Sequence, residues 1–487
     1  MTTPTSVAPT FLWHDYETFG ANPRRDWPAQ FAAVRTDAEL NEIGAPLMLY
    51  CQPPLDRLPE PEACLITGIV PQACAAKGLP EHRFAQQVHA ALAEPGTIGA
   101  GYNSIRFDDE VTRFLLWRNL LDPYAREWQN GCGRWDLLDV ARCAHALRPE
   151  GIEWPLGDDG LPTFRLEKLS AANGLAHDSA HDALSDVRAT LALARLLRAK
   201  QPKLFDFCLA LRRKDRVAQE LGLPTTLREA RPFLHVSGRF GAARGCIAVM
   251  APLAMHPTNK NELLAWDLSA DPSELAALKA DEVRARLFTA TADLPEGVAR
   301  LPIKGVHLNK SPIVIGSLKT LRPELAERWG IDFGAAETHF ERLRALPDLS
   351  ALWAQVYARP PSDAAVDVDE DLYGGFLGDA DRRRLARLRA LDPRELAVAR
   401  TGFDDERLPE LLLRYRARNF PETLNAQDAA RWDAHRAARL LRGEGGALTV
   451  QGLFDRIDGL AESVEDERGQ GVLEALYEWA EQIAPEE

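Results

Sequence analysis

No apolar run in this chain approaches the ~18 residues that a membrane span requires, and Met1 to Pro9 offer neither a basic region nor an apolar signal core. A spanning helix and a secretory leader are not expected, and the cytoplasm is the expected location. Cysteine is scarce. The seven residues Cys51, Cys64, Cys74, Cys132, Cys143, Cys208 and Cys246 are odd in number and form no C-x-x-C pair, which argues against a disulfide framework and a zinc site. Positive charge is short as well. With 58 Lys and Arg against 72 Asp and Glu, the net charge of -14 taken globally counts against nucleic-acid binding, because phosphate neutralisation supplies most non-specific affinity. Locally the balance changes: residues 201–260 carry ten basic against four acidic residues, whereas 451–487 carry two against eleven. No internal repeat of useful period is present.

What the chain does have is length and apolar material. Its 487 residues suggest about three folded units at ~150 residues each. A hydrophobic content of 46%, a charged content of 27% and a mean hydropathy of -0.26 describe a soluble globular protein with a core for each unit. The first two hundred residues read as α/β, with strands expected at Thr10–Asp15, Pro46–Cys51, Thr97–Tyr102 and Trp135–Val140, and helices at Asp108–Leu121, Arg165–Asn173 and His181–Ala199. The last of these carries a stripe of Leu184, Val187, Leu191, Ala194 and Leu197 and stops at Gln201-Pro202. From about 203 to 355 the texture is β-rich, with short runs at Gly245–Ala254, Leu263–Leu268, Val306–Leu308 and Ile313–Ile315 and a helical insertion at Pro272–Leu287. Pro360–Ala380 holds six acids, three glycines and no basic residue, so a solvated linker and an ordered role both stay open. After Asp381 the pattern is helical. The expected division is a catalytic domain over 1–201, a small β-rich domain over 202–355, a linker over 356–380 and an all-α domain over 381–487.

The chemistry lies in carboxylates. Phe11-Leu12-Trp13-His14-Asp15-Tyr16-Glu17-Thr18 is an apolar strand that ends in two acids, and residues i and i+2 of a strand face the same side about 6.6 Å apart. Both can therefore serve one hard cation. Chance alone gives roughly eleven acid-x-acid pairs in this composition, so position must add weight. It does, since ligands of open α/β sheets bind at the carboxyl ends of strands. Two further segments supply matching groups: Asp108 at a helix start after Gly101-Tyr102-Asn103-Ser104, and His181 with Asp186 at the opening of the long amphipathic helix. Taken singly, Asp108 also reads as an acid at a helix dipole and His181 as a capping or surface residue.

The set Asp15, Glu17, Asp108, His181 and Asp186 has the chain order of the histidine-bearing branch of the DEDD exonuclease superfamily. Within it, the strings His14-Asp15-Tyr16-Glu17-Thr18-Phe19-Gly20, Arg106-Phe107-Asp108-Asp109-Glu110-Val111-Thr112-Arg113, Arg134-Trp135-Asp136-Leu137-Leu138-Asp139-Val140 and Ala180-His181-Asp182-Ala183 closely resemble the bacterial exodeoxyribonuclease I family. So do Val236-Ser237-Gly238 and Tyr415-Arg416-Ala417-Arg418-Asn419-Phe420-Pro421, and the resemblance spans essentially the whole chain. It implies a ribonuclease-H-like exonuclease domain, a Src-homology-like barrel and a helical domain that together enclose a strand. It also implies processive 3′→5′ removal of 5′ mononucleotides from single-stranded DNA, in repair and recombination.

By that resemblance Asp15, Glu17 and Asp186 ligate two Mg²⁺ ions, with Mn²⁺ as an alternative, while Asp108 completes the set and His181 is the general base. Arg113, Tyr124, Trp128, Arg142 and Arg165 match strand-contacting positions, with Glu17 also touching substrate. Lys214 (in the cluster Arg212, Arg213, Lys214, Arg216), the family-like His256-Pro257 and Lys304 would line the DNA path in the middle domain. A solvated basic face is the plainer account of that cluster, and a core position that of Trp128. The expected protein partner is the single-strand-binding protein, whose acidic, Phe-ended tail needs a cation and an apolar slot. Arg148 is the candidate cation, with Phe205 or Phe207 forming the slot, although Arg148 also reads as a helix C-cap. A monomer is expected. Two rival readings remain at this level: an exonuclease of the same superfamily acting on RNA or proofreading a polymerase, and a non-catalytic single-strand-binding protein, for which the acid set should be broken.

Overall fold

The computed structural model describes residues 8–175, 182–358 and 366–486. Contacts divide the chain into two compact units, one built from residues 1–133, 177–188 and 364–487 and the other from 134–176 and 189–363.

The first unit is organised on β1 (Thr10–Thr18), β2 (Pro28–Thr36), β3 (Leu47–Tyr50) and β4 (Thr97–Gly101), in the order β3-β2-β1-β4. β2 runs antiparallel along β1 from Phe11↔Thr36 to Glu17↔Gln30, whereas β4 is parallel and pairs only from Thr10↔Thr97 to Trp13↔Ala100. The carboxyl half of β1 therefore runs past the end of its parallel neighbour. Strand periodicity sends Leu12 and Tyr16 to one face, where they meet Phe31 and Ala33 of β2. Phe84, Ala85, Val88 and Leu92, at helical spacing on Glu81–Ala93, and Val111 and Leu115 of Asp108–Arg118 close this core. Each of the larger side chains among them, such as Phe84, Val88 and Leu115, contributes about 1.5–3 kcal/mol by its full burial. β2 had no counterpart among the expected strands: it is buried on both faces and Ala-rich, so it shows no alternation.

The C-terminal helices belong to the same unit. Leu385, Leu388, Leu411, Leu412 and Tyr415 pack with Phe114, Trp117 and Leu120, while Leu453, Ile457, Leu473 and Leu476 pack with Phe19, Trp27, Cys64 and Cys74. The acidic stretch, in its described part, takes the ordered role rather than that of a solvated linker. Asp367 accepts from Arg414 at 2.8 Å and Arg439 at 3.0 Å, and Asp369 accepts from Arg414 at 2.9 Å and Arg418 at 2.6 Å. Arg418 also pairs with Asp56 at 2.8 Å, and the guanidinium groups of Arg57, Arg118 and Arg418 all lie over the Trp27 ring. Against the desolvation of full burial, Arg418, joined by Arg414 and Arg57 at Asp369 and by His435 at Asp56, holds both carboxyls well below the usual range.

The chain leaves the first unit at β5 (Gly133–Asp136). The strand expected over Trp135–Val140 stops at Asp136, because the Asp136 carboxylate accepts from the Leu138 N–H at 3.0 Å and caps a helix over Leu137–Leu147. The second unit carries an antiparallel sheet of β6 (Phe233–Val236), β7 (Ile247–Met255), β8 (Glu262–Asp267), β9 (Ile303–His307) and β10 (Ile313–Ile315), in the order β10-β6-β7-β8-β9. β6 was also not expected from the pattern. The helix expected over Pro272–Leu287 is a 3₁₀ turn at Ser273–Ala276 followed by a helix at Ala280–Phe288.

Candidate active site

Three carboxylates converge where β1 outruns β4. Oxygens of Asp15, Glu17 and Asp186 all lie within 4.8 Å of one another. Asp15 and Glu17 share a face of β1. Asp186 comes from the first turn of the helix Ala183–Lys200, whose start is fixed by Asp182: its carbonyl accepts from the Asp186 N–H at 3.0 Å and its carboxylate from the Ser185 N–H at 3.3 Å. Asp108 arrives by a different route. With no ladder partner from β4 at this level, the Tyr16 N–H donates to the Asp108 carboxylate at 3.1 Å, which brings a fourth acid to bear on Asp15. A hydroxyl pair steadies it, the Tyr16 and Thr112 oxygens at 3.0 Å and the Thr112 hydroxyl donating to the Asp108 carbonyl at 2.8 Å. Gly101 permits the turn that leads here, because a Cβ there would sit 2.9 Å from the His14 carbonyl.

The electrostatics suit a cation. Burial, then Asp108, Glu17 and Asp186, push the Asp15 carboxyl well above its usual range. Burial, then Asp186 and Asp182, push Glu17 up to about 8. Among the described residues no Lys or Arg stands among the causes of these shifts. A buried set of acids that raise one another is costly in isolation and is relieved by a divalent ion with oxygen preference, which this donor set fits. Asp182 was quoted in the sequence motif but given no role; its contribution at Glu17 is a tertiary one. His181 lies outside the described residues.

The strand-contacting candidates divide. Arg113 is buried, donates to Glu127 at 2.7 and 2.9 Å and to Glu110 at 2.7 Å, and meets the Tyr373 hydroxyl at 3.1 Å, so its fork is committed within the fold. Tyr124 rests against Phe376 and the Arg113 guanidinium. Trp128 is 67% exposed and therefore not a core residue. In the second unit Arg142 pairs with Asp139 at 2.7 Å, and its guanidinium passes close to Gly238 of Val236-Ser237-Gly238, where a Cβ would stand 2.8 Å from the guanidinium carbon. Arg165 is exposed. Lys214 and Pro257 meet at one place, since the Lys214 ammonium donates to Asn261 at 2.5 Å on the hairpin that Pro257 opens, and Lys304 stands on the adjacent β9 opposite Ala265.

A separate cavity of about 460 Å³ is lined by Leu147, Arg148, Leu204, Phe207, Ile315 and Thr320, among others. Arg148 ends the Leu137–Leu147 helix, and its guanidinium donates to the carbonyls of Leu147 and, at 3.1 Å, Thr320. Phe207 is in this wall, whereas Phe205 is core, edge-on to Trp135 at 5.0 Å.

Family models match along the chain: Exonuclease over residues 12–194, Exonuclease I SH3-like domain over 212–359 and Exonuclease I C-terminal domain over 366–483. Exodeoxyribonuclease I of Escherichia coli K12 is 46% identical over 479 residues, covering 97% of this chain and 98% of that protein. The exonuclease I structure from Methylocaldum szegediense is 50% identical with a TM-score of 0.91 over 98% of this chain and 99% of its own. That of E. coli exonuclease I in complex with a dA16 oligonucleotide gives 45% and 0.90 over 98% and 100%, and a crystal structure of SSB/exonuclease I in complex with the inhibitor CFAM gives 43% and 0.90 over the same shares.

Proposed function

This chain belongs to the exodeoxyribonuclease I family, and from that membership we infer that it hydrolyses single-stranded DNA from the 3′ end to 5′ mononucleotides. The observation that carries the reading is the convergence of Asp15, Glu17 and Asp186 beside Asp108, all four acids intact, which also speaks against a merely strand-binding protein. Asp15, Glu17 and Asp186 would hold divalent cations, Mg²⁺ in the first instance and two per site, with Mn²⁺ as a substitute. Bound there, they supply charge relief at the phosphate and a more acidic water. The chain's own groups do the rest: Asp108, locked to the Tyr16 N–H, keeps the acids in register, and His181 takes the proton of the attacking water. Water adds to phosphorus, the bond to the 3′ oxygen of the preceding nucleotide breaks, and that oxygen takes a proton from solvent as it leaves, while His181 returns its own proton to solvent before the next turnover.

Glu17, Tyr124, Trp128, Arg142, Arg165, Lys214, Pro257 and Lys304 are the proposed strand contacts, with aromatic rings stacking on bases and cations meeting phosphates. Arg113 would act at one remove, by fixing Tyr124. We take the chain as an exonuclease domain over 1–201, a β-rich domain over 202–355, a linker over 356–380 and a helical domain over 381–487, and propose that it acts as a processive monomer of the cytoplasm in repair and recombination. Among the described residues no helix is long and apolar enough to cross a membrane. The cavity at Arg148 and Phe207 suits the acidic, Phe-ended tail of the single-strand-binding protein, which supplies carboxylates and a ring to a site that offers two cations, Arg148 and Lys203, and an apolar wall. DNA and RNA oligonucleotides labelled at either end, with Mg²⁺ or chelator, test the whole reading. Mononucleotides should appear first from the 3′ end of single-stranded DNA and only with metal; release from the 5′ end, or turnover in chelator, overturns it.

A further inference from the structure

β2 is apolar through Pro28–Val34 with one exception, Gln30, which is 1% exposed. A buried amide on an inner strand is costly unless both its ends are bonded. Its place in the sheet decides what those ends can meet. Gln30 stands opposite Glu17 of β1 and opposite Tyr50 of β3, so the three side chains form one row on the face that carries the acids, with neighbouring Cβ atoms about 4.5–5.5 Å apart.

One end is met and the other is not. The Gln30 amide nitrogen donates to the Tyr50 hydroxyl at 2.9 Å, whereas the amide oxygen is buried and has no donor among the described residues. The two ends of an amide point apart, so the end that β3 does not take is the one available to Glu17. Tyr50 is itself held, with the Lys77 ammonium 5.7 Å from its ring centroid. Asp182 links the ends of the row: behind burial it raises the Tyr50 phenol, and behind burial and Asp186 it raises the Glu17 carboxyl.

A buried acceptor without a donor, beside a carboxylate suited to a cation, has a chemical complement. Hard divalent ions, Mg²⁺ above all, keep several waters when carboxylates bind them, and each water is a donor that needs an acceptor. Polar groups behind metal ligands supply such partners and fix the ligands in turn. We propose that Gln30 is a positioning residue for the cation at Glu17, its amide oxygen accepting from the ion's hydration shell while Tyr50 holds the amide in that orientation. The proposal rests on the divalent-cation reading above and extends it to two residues outside the set of acids.

Mn²⁺ binding is measured on the full chain without DNA, from the paramagnetic resonance signal of the free ion, with thermal unfolding in chelator as the control for folding. Gln30→Leu removes the amide at similar volume and should weaken Mn²⁺ binding about 10–100-fold, the usual effect of losing a group behind a metal ligand. Its midpoint in chelator should not fall, since a buried acceptor without a donor goes with the amide. Gln30→Glu, which keeps an oxygen at that end, should recover the affinity, and Tyr50→Phe should lose part of it while keeping its fold. Mn²⁺ affinity of Gln30→Leu within threefold of wild type overturns the proposal, as does a loss that Gln30→Glu fails to recover. Where Gln30→Leu does not fold, wild-type affinity in Tyr50→Phe overturns it too. Failure of wild type to bind Mn²⁺ at all would instead sink the cation reading itself.

Discussion

Replacing Glu17 by Gln should stabilise the metal-free protein at neutral pH and above, even as it removes hydrolysis. Glu17 is 8% exposed and faces Asp186 and Asp182, and its carboxyl titrates at about 8 in the fold against 4.5 for a free glutamate. Raised titration in the folded state means that the folded chain keeps a proton that the unfolded chain sheds, so stability falls as pH rises from about 4.5 and levels off above about 8. Between pH 4.5 and 7, at ~1.4 kcal/mol per pH unit, the cost reaches about 3 kcal/mol. Glu17→Gln removes that titration and keeps the shape. Thermal unfolding in chelator at pH 5 and pH 8 should therefore show the variant gaining over wild type at pH 8 and little at pH 5. Added Mg²⁺ or Mn²⁺ should then raise the midpoint of wild type at pH 8 and move the variant far less, because a cation bound only to the folded state stabilises it. Wild type equal to or more stable than the variant at pH 8 in chelator refutes the argument that these acids repel one another unrelieved.

Asp186→Asn should abolish turnover while single-strand affinity in chelator stays within about threefold, and His181→Ala should slow single-turnover cleavage by about 10²–10⁴-fold, the usual worth of a general base; less than a threefold effect assigns His181 to structure. Arg148→Ala should weaken a fluorescent peptide of acidic residues ending in Phe at least tenfold and leave cleavage of a bare oligonucleotide nearly unchanged, and equal peptide affinity ends that assignment. Asp369→Ala should destabilise the protein by about 3–5 kcal/mol in denaturant unfolding, since it strands the buried guanidinium groups of Arg414 and Arg418; a loss under 1 kcal/mol would mean that water or Asp56 and Asp367 suffice for them.

The sequence by itself determined the chemistry, because the signals that specify it are local. Asp15 and Glu17 share a strand face by a two-residue period, and Asp186 and Asp108 open helices, so the types and order of the acids sufficed to mark the set. Strands buried on one face and helices with a stripe were legible for the same reason. Tertiary structure decided what depends on a distant partner. β2 has no alternation because both its faces are covered, and the run after Trp135 is apolar whether it forms strand or helix until Asp136 caps it. Arg113 reads as a free cation until Glu127 and Tyr373 take up its fork. The acidic stretch around Asp367 and Asp369 reads as solvated, since the arginines that bury it lie more than forty residues along the chain. A charge's counter-ion and a strand's second neighbour are set by packing across the fold, and no window of sequence contains them.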